Sequence, residues 1–215
     1  MIHCIDIGKD YPVHKGIRRV LDNVNVDVAP RQRLGILGRN GAGKSTLIKI
    51  IGGVEVATRG RVEATMSVSW PLAFGGAFQG SLSGLDNLRF ICRIYRLDYH
   101  ATRAFVDDFA ELGSQLGEPV KTYSSGMRAR LAFALSISIE FQCYLIDEVI
   151  MVGDKRFYDR CQRELFDRKS DRALVVVSHD MGFIRDACDS AGVIRDGTFH
   201  MADSVPAAIA EYEAM

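Results

Sequence analysis

The chain has 215 residues, enough for one well-packed domain with a subdomain and too few for two full-sized ones. Hydrophobic residues make up 47% and allow a substantial core, while 27 basic residues balance 27 acidic ones and leave no surplus charge pointing to nucleic acid or anionic lipid. No apolar run approaches the roughly 18 residues that span a bilayer, and nothing resembles a signal peptide, so the chain is expected to be soluble and to reach any membrane by docking.

In chain order, residues 24–28 alternate apolar and polar (V-N-V-D-V), which predicts a half-buried strand. Residues 33–37 predict a second, more buried strand leading into Gly38, and after a glycine-rich turn residues 46–51 start a helix that Gly52 and Gly53 end. Strand-favouring residues return over 61–70, and Gly75, Gly76 and Gly80 mark a long irregular loop. Helical spacing of Leu85, Leu88, Ile91, Ile94 and Tyr95 predicts a helix over about 85–97. A second is predicted over 101–112, with Phe105, Val106, Phe109 and Ala110 on one face, and a third over 127–139. Short apolar runs at 143–146 and 173–177 read as buried parallel strands, and 206–215 as a short helix. The pattern predicts one domain over 1–215, an α/β core with a helical subdomain inserted at about 82–140. Cys4, Cys92, Cys143, Cys161 and Cys188 are scattered without a C-x-x-C pair, as buried thiols are, rather than disulfides or zinc ligands.

Residues 38–45 read G-R-N-G-A-G-K-S, a full G-x-x-x-x-G-K-[ST] phosphate loop between a predicted strand and a predicted helix. Its glycines permit the left-handed turns that aim successive backbone N–H groups of Gly38, Arg39, Asn40, Gly41, Ala42 and Gly43 at phosphate oxygens. The helix that follows, through Thr46, brings its positive end to the same place. Lys44 then reaches the β- and γ-phosphates of ATP, and Ser45 ligates Mg²⁺. The apolar strand at 143–146 ends in Asp147 and Glu148: an Asp here helps to hold Mg²⁺, and the Glu is placed to take a proton from an attacking water.

Between these two elements stands Tyr123-Ser124-Ser125-Gly126-Met127-Arg128, similar to the ABC-transporter signature L-S-G-G-Q at Ser124 and Gly126 and different from it at Tyr123, Ser125 and Met127. Ser124 also suits the cap of a helix. Further elements resembling that family follow in order: Tyr11 as the aromatic that stacks on adenine, Gln79 as the glutamine that senses Mg²⁺ and water and touches the permease, Asp154 as the acidic end of the D-loop, and His179 in V-V-V-S-H-D as the switch histidine at the γ-phosphate. Ile150 and Met151 depart from the small or polar residues usual in the D-loop. The stretches S-W-P-L-A-F-G-G-A-F-Q-G-S-L-S-G, T-Y-S-S-G-M-R-A-R-L-A-F-A-L-S and Y-L-I-D-E-V resemble, more narrowly, the ATP-binding proteins of capsular polysaccharide export in Gram-negative bacteria.

The resemblance implies a P-loop NTPase fold of the ABC type, with a RecA-like core, an antiparallel β subdomain and an inserted α-helical subdomain. It implies an ATPase working as a homodimer, two copies head to tail around two ATP molecules. Tyr11, Lys44 and Ser45 of one copy would hold each ATP with Ser124, Ser125 and Gly126 of the other; Ser45, Gln79 and Asp147 would serve Mg²⁺, and Glu148, His179 and Gln79 catalysis. Integral-membrane permease subunits and further capsule-export proteins are the implied partners, at the cytoplasmic face of the inner membrane, with no nucleic acid. Export of O-antigen or teichoic acid, or a non-transport ABC ATPase, are the alternatives; a P-loop kinase would leave the signature-like turn and His179 without a role.

Overall fold

The computed structural model describes residues 1–72, 76, 78–147 and 155–215. They fall into two compact units, the first of Met1–Pro71, Phe141–Glu148 and Lys169–Met215, the second of Leu72–Glu140 and Val149–Arg168.

The first unit begins with two long strands, β1 (Ile2–Val13) and β2 (Gly16–Val28). The predicted alternation over 24–28 lies at the end of β2, where Val24, Val26 and Val28 are buried and Asn25 and Asp27 exposed. Next come β3 (Arg33–Leu37), α1 (Lys44–Ile51), β4 (Arg59–Ala64) and β5 (Val68–Pro71), so the single stretch predicted over 61–70 is two strands. β1 pairs antiparallel with both β2 and β4, giving a three-stranded sheet β2-β1-β4.

The second unit carries α2 (Gly84–Tyr95), α3 (Tyr99–Ala110) and α4 (Ser125–Ile137). Each has a capping side chain: Ser83 accepts from Asp86 N, Asp98 from Ala101 N, and Ser124 from Met127 N. The core of this unit is aromatic, with Phe109 stacked on Phe133 at 5.6 Å and Phe157 meeting both edge-on. The helix predicted over about 85–97 is α2; of its apolar residues Leu88 and Ile91 are buried, while Ile94 and Tyr95 are exposed.

The chain then supplies β6 (Cys143–Asp147), α5 (Lys155–Gln162, in the second unit), β7 (Ala173–Val177), α6 (Met181–Ala187), β8 (Ser190–Arg195), β9 (Thr198–Met201) and α7 (Val205–Glu213). In the first unit these complete a six-stranded sheet, β5-β6-β7-β3-β8-β9, parallel except for β9. β7 is A-L-V-V-V, buried at every residue, as a strand covered on both faces must be.

All five cysteines are buried, and burial pushes the thiols of Cys4, Cys143, Cys161 and Cys188 up to about 12. The thiolate is the nucleophile, so at pH 8 on the order of one part in 10⁴ of each is reactive. A thiol reagent is therefore expected to leave these four unlabelled in the folded chain and to react with them after unfolding in urea. Rapid labelling of more than one before unfolding would contradict the packing described.

Candidate functional site

The carboxyl edge of the six-stranded sheet gathers the phosphate-loop residues. Gly38 leaves β3 at φ 153°, and a Cβ there would lie 2.6 Å from the Ile194 carbonyl oxygen. Gly43 has φ 110° and space for no side chain, since a Cβ would sit 2.7 Å from Leu21 Cδ2. With Gly43 as its N-cap, α1 starts without a side-chain cap, so its first N–H groups remain available to an anion. Lys44 is 6% exposed, and its Nζ donates to the carbonyls of Gly38 (2.7 Å) and Arg39 (3.1 Å). Carbonyls satisfy its donors without neutralising its charge.

Ser45 Oγ donates to Asp147 Oδ1 at 3.0 Å, joining residues 102 positions apart in sequence. The register explains how: Ile36 of β3 and Asp147 of β6 both pair with Val177 of β7. β7 thus lies between the strand feeding the loop and the strand ending in Asp147. His179, exposed two residues beyond the end of β7, stands at that same edge. Parallel sheets bind ligands beyond the carboxyl ends of their strands. Arg39, Asn40 and Gly41 are exposed at the loop's tip, with Arg39 donating to the Met215 carbonyl, and Ala42 is half-buried. Glu148 and Asp154, with Ile150 and Met151, lie outside the described residues.

Tyr11 comes to this site from β1. It lines a cavity of about 560 Å³ together with Val13, Val20, Asn40, Lys44 and Thr46. Its hydroxyl lies 3.5 Å from Thr46 Oγ1 and donates to Glu55, which also pairs with Lys9 at 3.0 Å. Lys9 Nζ sits over the Tyr11 ring, 5.0 Å from its centre. Burial, then the bond to Glu55, pushes the Tyr11 phenol up; burial alone would raise Glu55, but its bonds from Tyr11 and Lys9 hold it below the usual carboxylate range. Sequence reading missed Lys9 and Glu55, and no local signal marks them.

Gln79, Ser124, Ser125 and Gly126 form a separate group within the second unit. Ser124 caps α4, accepting from Met127 N at 3.2 Å, with Ser125 exposed and Gly126 half-buried beside it. Gln79 is exposed, and its backbone N–H donates to Asn87 Oδ1 at 3.0 Å. Asn87 is 3% exposed and was also missed, although a polar residue within the Leu88–Ile91 face is a readable signal.

A family model for the ABC transporter matches residues 21–151, more than half of the chain. The chain belongs to the ABC transporter family. The capsule polysaccharide export ATP-binding protein CtrD of Neisseria meningitidis serogroup B is 52% identical to this ABC protein over 215 residues, covering 100% of both chains. The ATP-binding protein BexA of Haemophilus influenzae is 54% identical over 200 residues, 93% of this chain and 92% of its own. In fold, the chain matches a dimeric ATP-binding cassette in a post-hydrolysis state bound to ADP and Pi, at TM-score 0.78 and 20% identity, over 95% of this chain and 99% of that one. This is the fold of an ABC nucleotide-binding domain, and ATP binding and hydrolysis are the general activity of the family.

The residues of this ABC protein fit that nucleotide. Lys44 is a buried cation bonded to carbonyls in a glycine loop, an arrangement that accepts phosphate. Ser45 and Asp147 together offer a hydroxyl and a carboxylate, the hard oxygen donors that suit Mg²⁺.

Proposed function

We propose that this chain is the ATP-hydrolysing subunit that powers export of a capsular polysaccharide, or a glycan of similar build, through a partner permease at the cytoplasmic face of the inner membrane. The observation that carries this reading is the end-to-end similarity to CtrD, a capsule polysaccharide export ATP-binding protein. The whole chain acts as one ATP-binding domain, with residues from about 82–140 as its helical insert.

Two copies pack head to tail around two ATP molecules. In each site Tyr11 meets the base, the loop from Gly38 to Thr46 holds the phosphates, and Ser124, Ser125 and Gly126 close from the other copy, with Asp154 at the junction. Ser45, Asp147 and Gln79 would serve Mg²⁺, which would supply charge neutralisation at the phosphates when bound. Glu148 takes a proton from water as its oxygen attacks the γ-phosphorus and the bond to the ADP oxygen breaks, releasing ADP and Pi. His179 steadies the γ-phosphate. Because the γ-phosphate bridges two copies only when they are closed, ATP favours the closed dimer and its hydrolysis favours opening. That cycle drives the permease.

The second unit offers a surface for such a partner. Phe90 (58% exposed) and Ile94 (54% exposed) stand one turn apart on α2, and Leu82 (41% exposed) precedes the helix. No described helix is long and apolar enough to cross a membrane.

The test is to recover the tagged chain from native membranes in gentle detergent and identify what accompanies it by mass spectrometry. A multi-helix membrane protein is expected with the wild-type chain and is expected to be lost from a Phe90→Ser, Ile94→Ser double variant that still hydrolyses ATP. Recovery of ribosomal or DNA-repair proteins with no integral membrane partner would overturn the transport reading and leave the ATPase standing.

A further inference from the structure

Two segments of the second unit that carry candidate site residues are knitted together. Lys121 N donates to Gly80 O (2.8 Å), Val120 N to Leu82 O (2.9 Å) and Gly84 N to Glu118 O (3.3 Å), with an antiparallel bridge between Ser83 and Pro119. The stretch following Gln79 is thus laid antiparallel to the stretch leading into Ser124. Two buried polar side chains lock its ends. At one end Asn87 accepts from Gln79 N (3.0 Å) and donates to Gln79 O (3.2 Å) and Ser83 O (2.9 Å).

At the other end is Tyr123, where the usual signature has leucine. It is 3% exposed, and its hydroxyl donates to Gln115 O at 2.5 Å. That hydroxyl stands where α2 begins: a Cβ on Gly84 would lie 2.6 Å from it. The Tyr123 carbonyl in turn accepts from Arg128 Nη1 at 2.6 Å, tying the residue to the first turns of α4. A leucine would fill similar space but make no directional bond. The hydroxyl fixes the angle at which the Ser124 turn leaves the segment.

We propose that Tyr123 and Asn87 are positioning residues that make the Gln79 segment and the Ser124–Gly126 turn one mechanical piece. A displacement of either is delivered to the other without slack. The inference rests on the reading that this turn closes on the nucleotide of the second copy.

The test uses the full chain purified with its membrane partners, following phosphate release and, separately, binding of a fluorescent ATP analogue. Tyr123→Phe removes only the oxygen. It is expected to leave analogue affinity unchanged and to lower kcat about three- to tenfold, the worth of one hydrogen bond. Gly84→Ala drives a methyl against the hydroxyl, and its larger loss of kcat is expected to be partly restored when Tyr123→Phe is added. Ser124→Arg serves as the control for the reading beneath. Normal hydrolysis by Ser124→Arg would remove the trans role, whatever Tyr123 does. If Ser124→Arg abolishes hydrolysis while Tyr123→Phe turns over normally, or Gly84→Ala gains nothing from Tyr123→Phe, the strut is wrong. A fall of kcat, analogue affinity and Tm together in Tyr123→Phe would also overturn it, since that is loss of folding alone.

Discussion

Replacing Glu148 with glutamine is expected to leave ATP bound and to slow its hydrolysis by about 10²–10⁴-fold. Asp147 ends β6 with one carboxylate oxygen engaged by the Ser45 hydroxyl, which commits it to the loop. The next residue in sequence, Glu148, is the carboxylate proposed to receive a proton from water. Glutamine keeps its size and removes its basicity, so kcat should fall while KM stays level, the pattern of an interaction made only in the transition state. With hydrolysis blocked, the ATP-closed dimer should accumulate and be visible by size-exclusion chromatography. Near-normal phosphate release from the variant would move the proton acceptor elsewhere, with His179 the next group at that sheet edge.

Lys44→Ala should show the opposite split. Here binding is lost, and hydrolysis fails because there is little to hydrolyse. The ammonium makes two bonds to loop carbonyls and brings a charge into a buried position. Hydrogen bonds to charged groups are worth about 1.5–3 kcal/mol each, so loss of its phosphate contacts should weaken ATP by about 10²-fold or more. Titration calorimetry on the full chain reads this directly. Lys44→Arg is not expected to rescue it, because a planar fork does not fit where a compact ammonium turns between Gly38 and Arg39. An affinity within threefold of the unaltered chain would mean that the loop is not the phosphate cradle.

Local signals in the sequence carried much of this. β7 is an unbroken apolar run and β3 is apolar after Arg33, because both lie inside a parallel sheet, and the phosphate loop is a contiguous motif whose glycines are demanded at Gly38 and Gly43. What escaped notice was non-local or irregular. β1 has register shifts between Cys4 and Ile7, Ile7 and Lys9, and Lys9 and Asp10, with Asp6 at φ 50°, so its side chains never alternate cleanly. β8 contains Gly192, which reads as a turn but is there because a Cβ would lie 2.3 Å from Phe199 Cζ on the neighbouring strand. Half of α5 is charged, with only Phe157 and Cys161 buried one turn apart. Ile94 and Tyr95 kept helical spacing yet face outward, since periodicity gives a stripe and not what covers it. In the site, Asp147 was legible at the end of its strand, whereas Glu55 reaches Tyr11 from 44 positions away, out of the bend between α1 and β4.

That pairing has a consequence for which nucleotide the protein accepts. Lys9 occupies one face of the Tyr11 ring, and Glu55 and Thr46 take up its hydroxyl, so if Tyr11 stacks on the base as proposed, a single aromatic face is left for it. Of the other side chains lining the cavity, Val13 and Val20 offer no donor or acceptor to the edge of a purine, whereas Arg18 brings donors and Asn40 both a donor and an acceptor. Stacking discriminates poorly between bases, while discrimination by more than about a hundredfold takes hydrogen bonds that the wrong base leaves unpaired. On the proposed reading of Tyr11, any preference between adenine and guanine therefore falls to Arg18 and Asn40, since the ring and the two valines treat both bases alike.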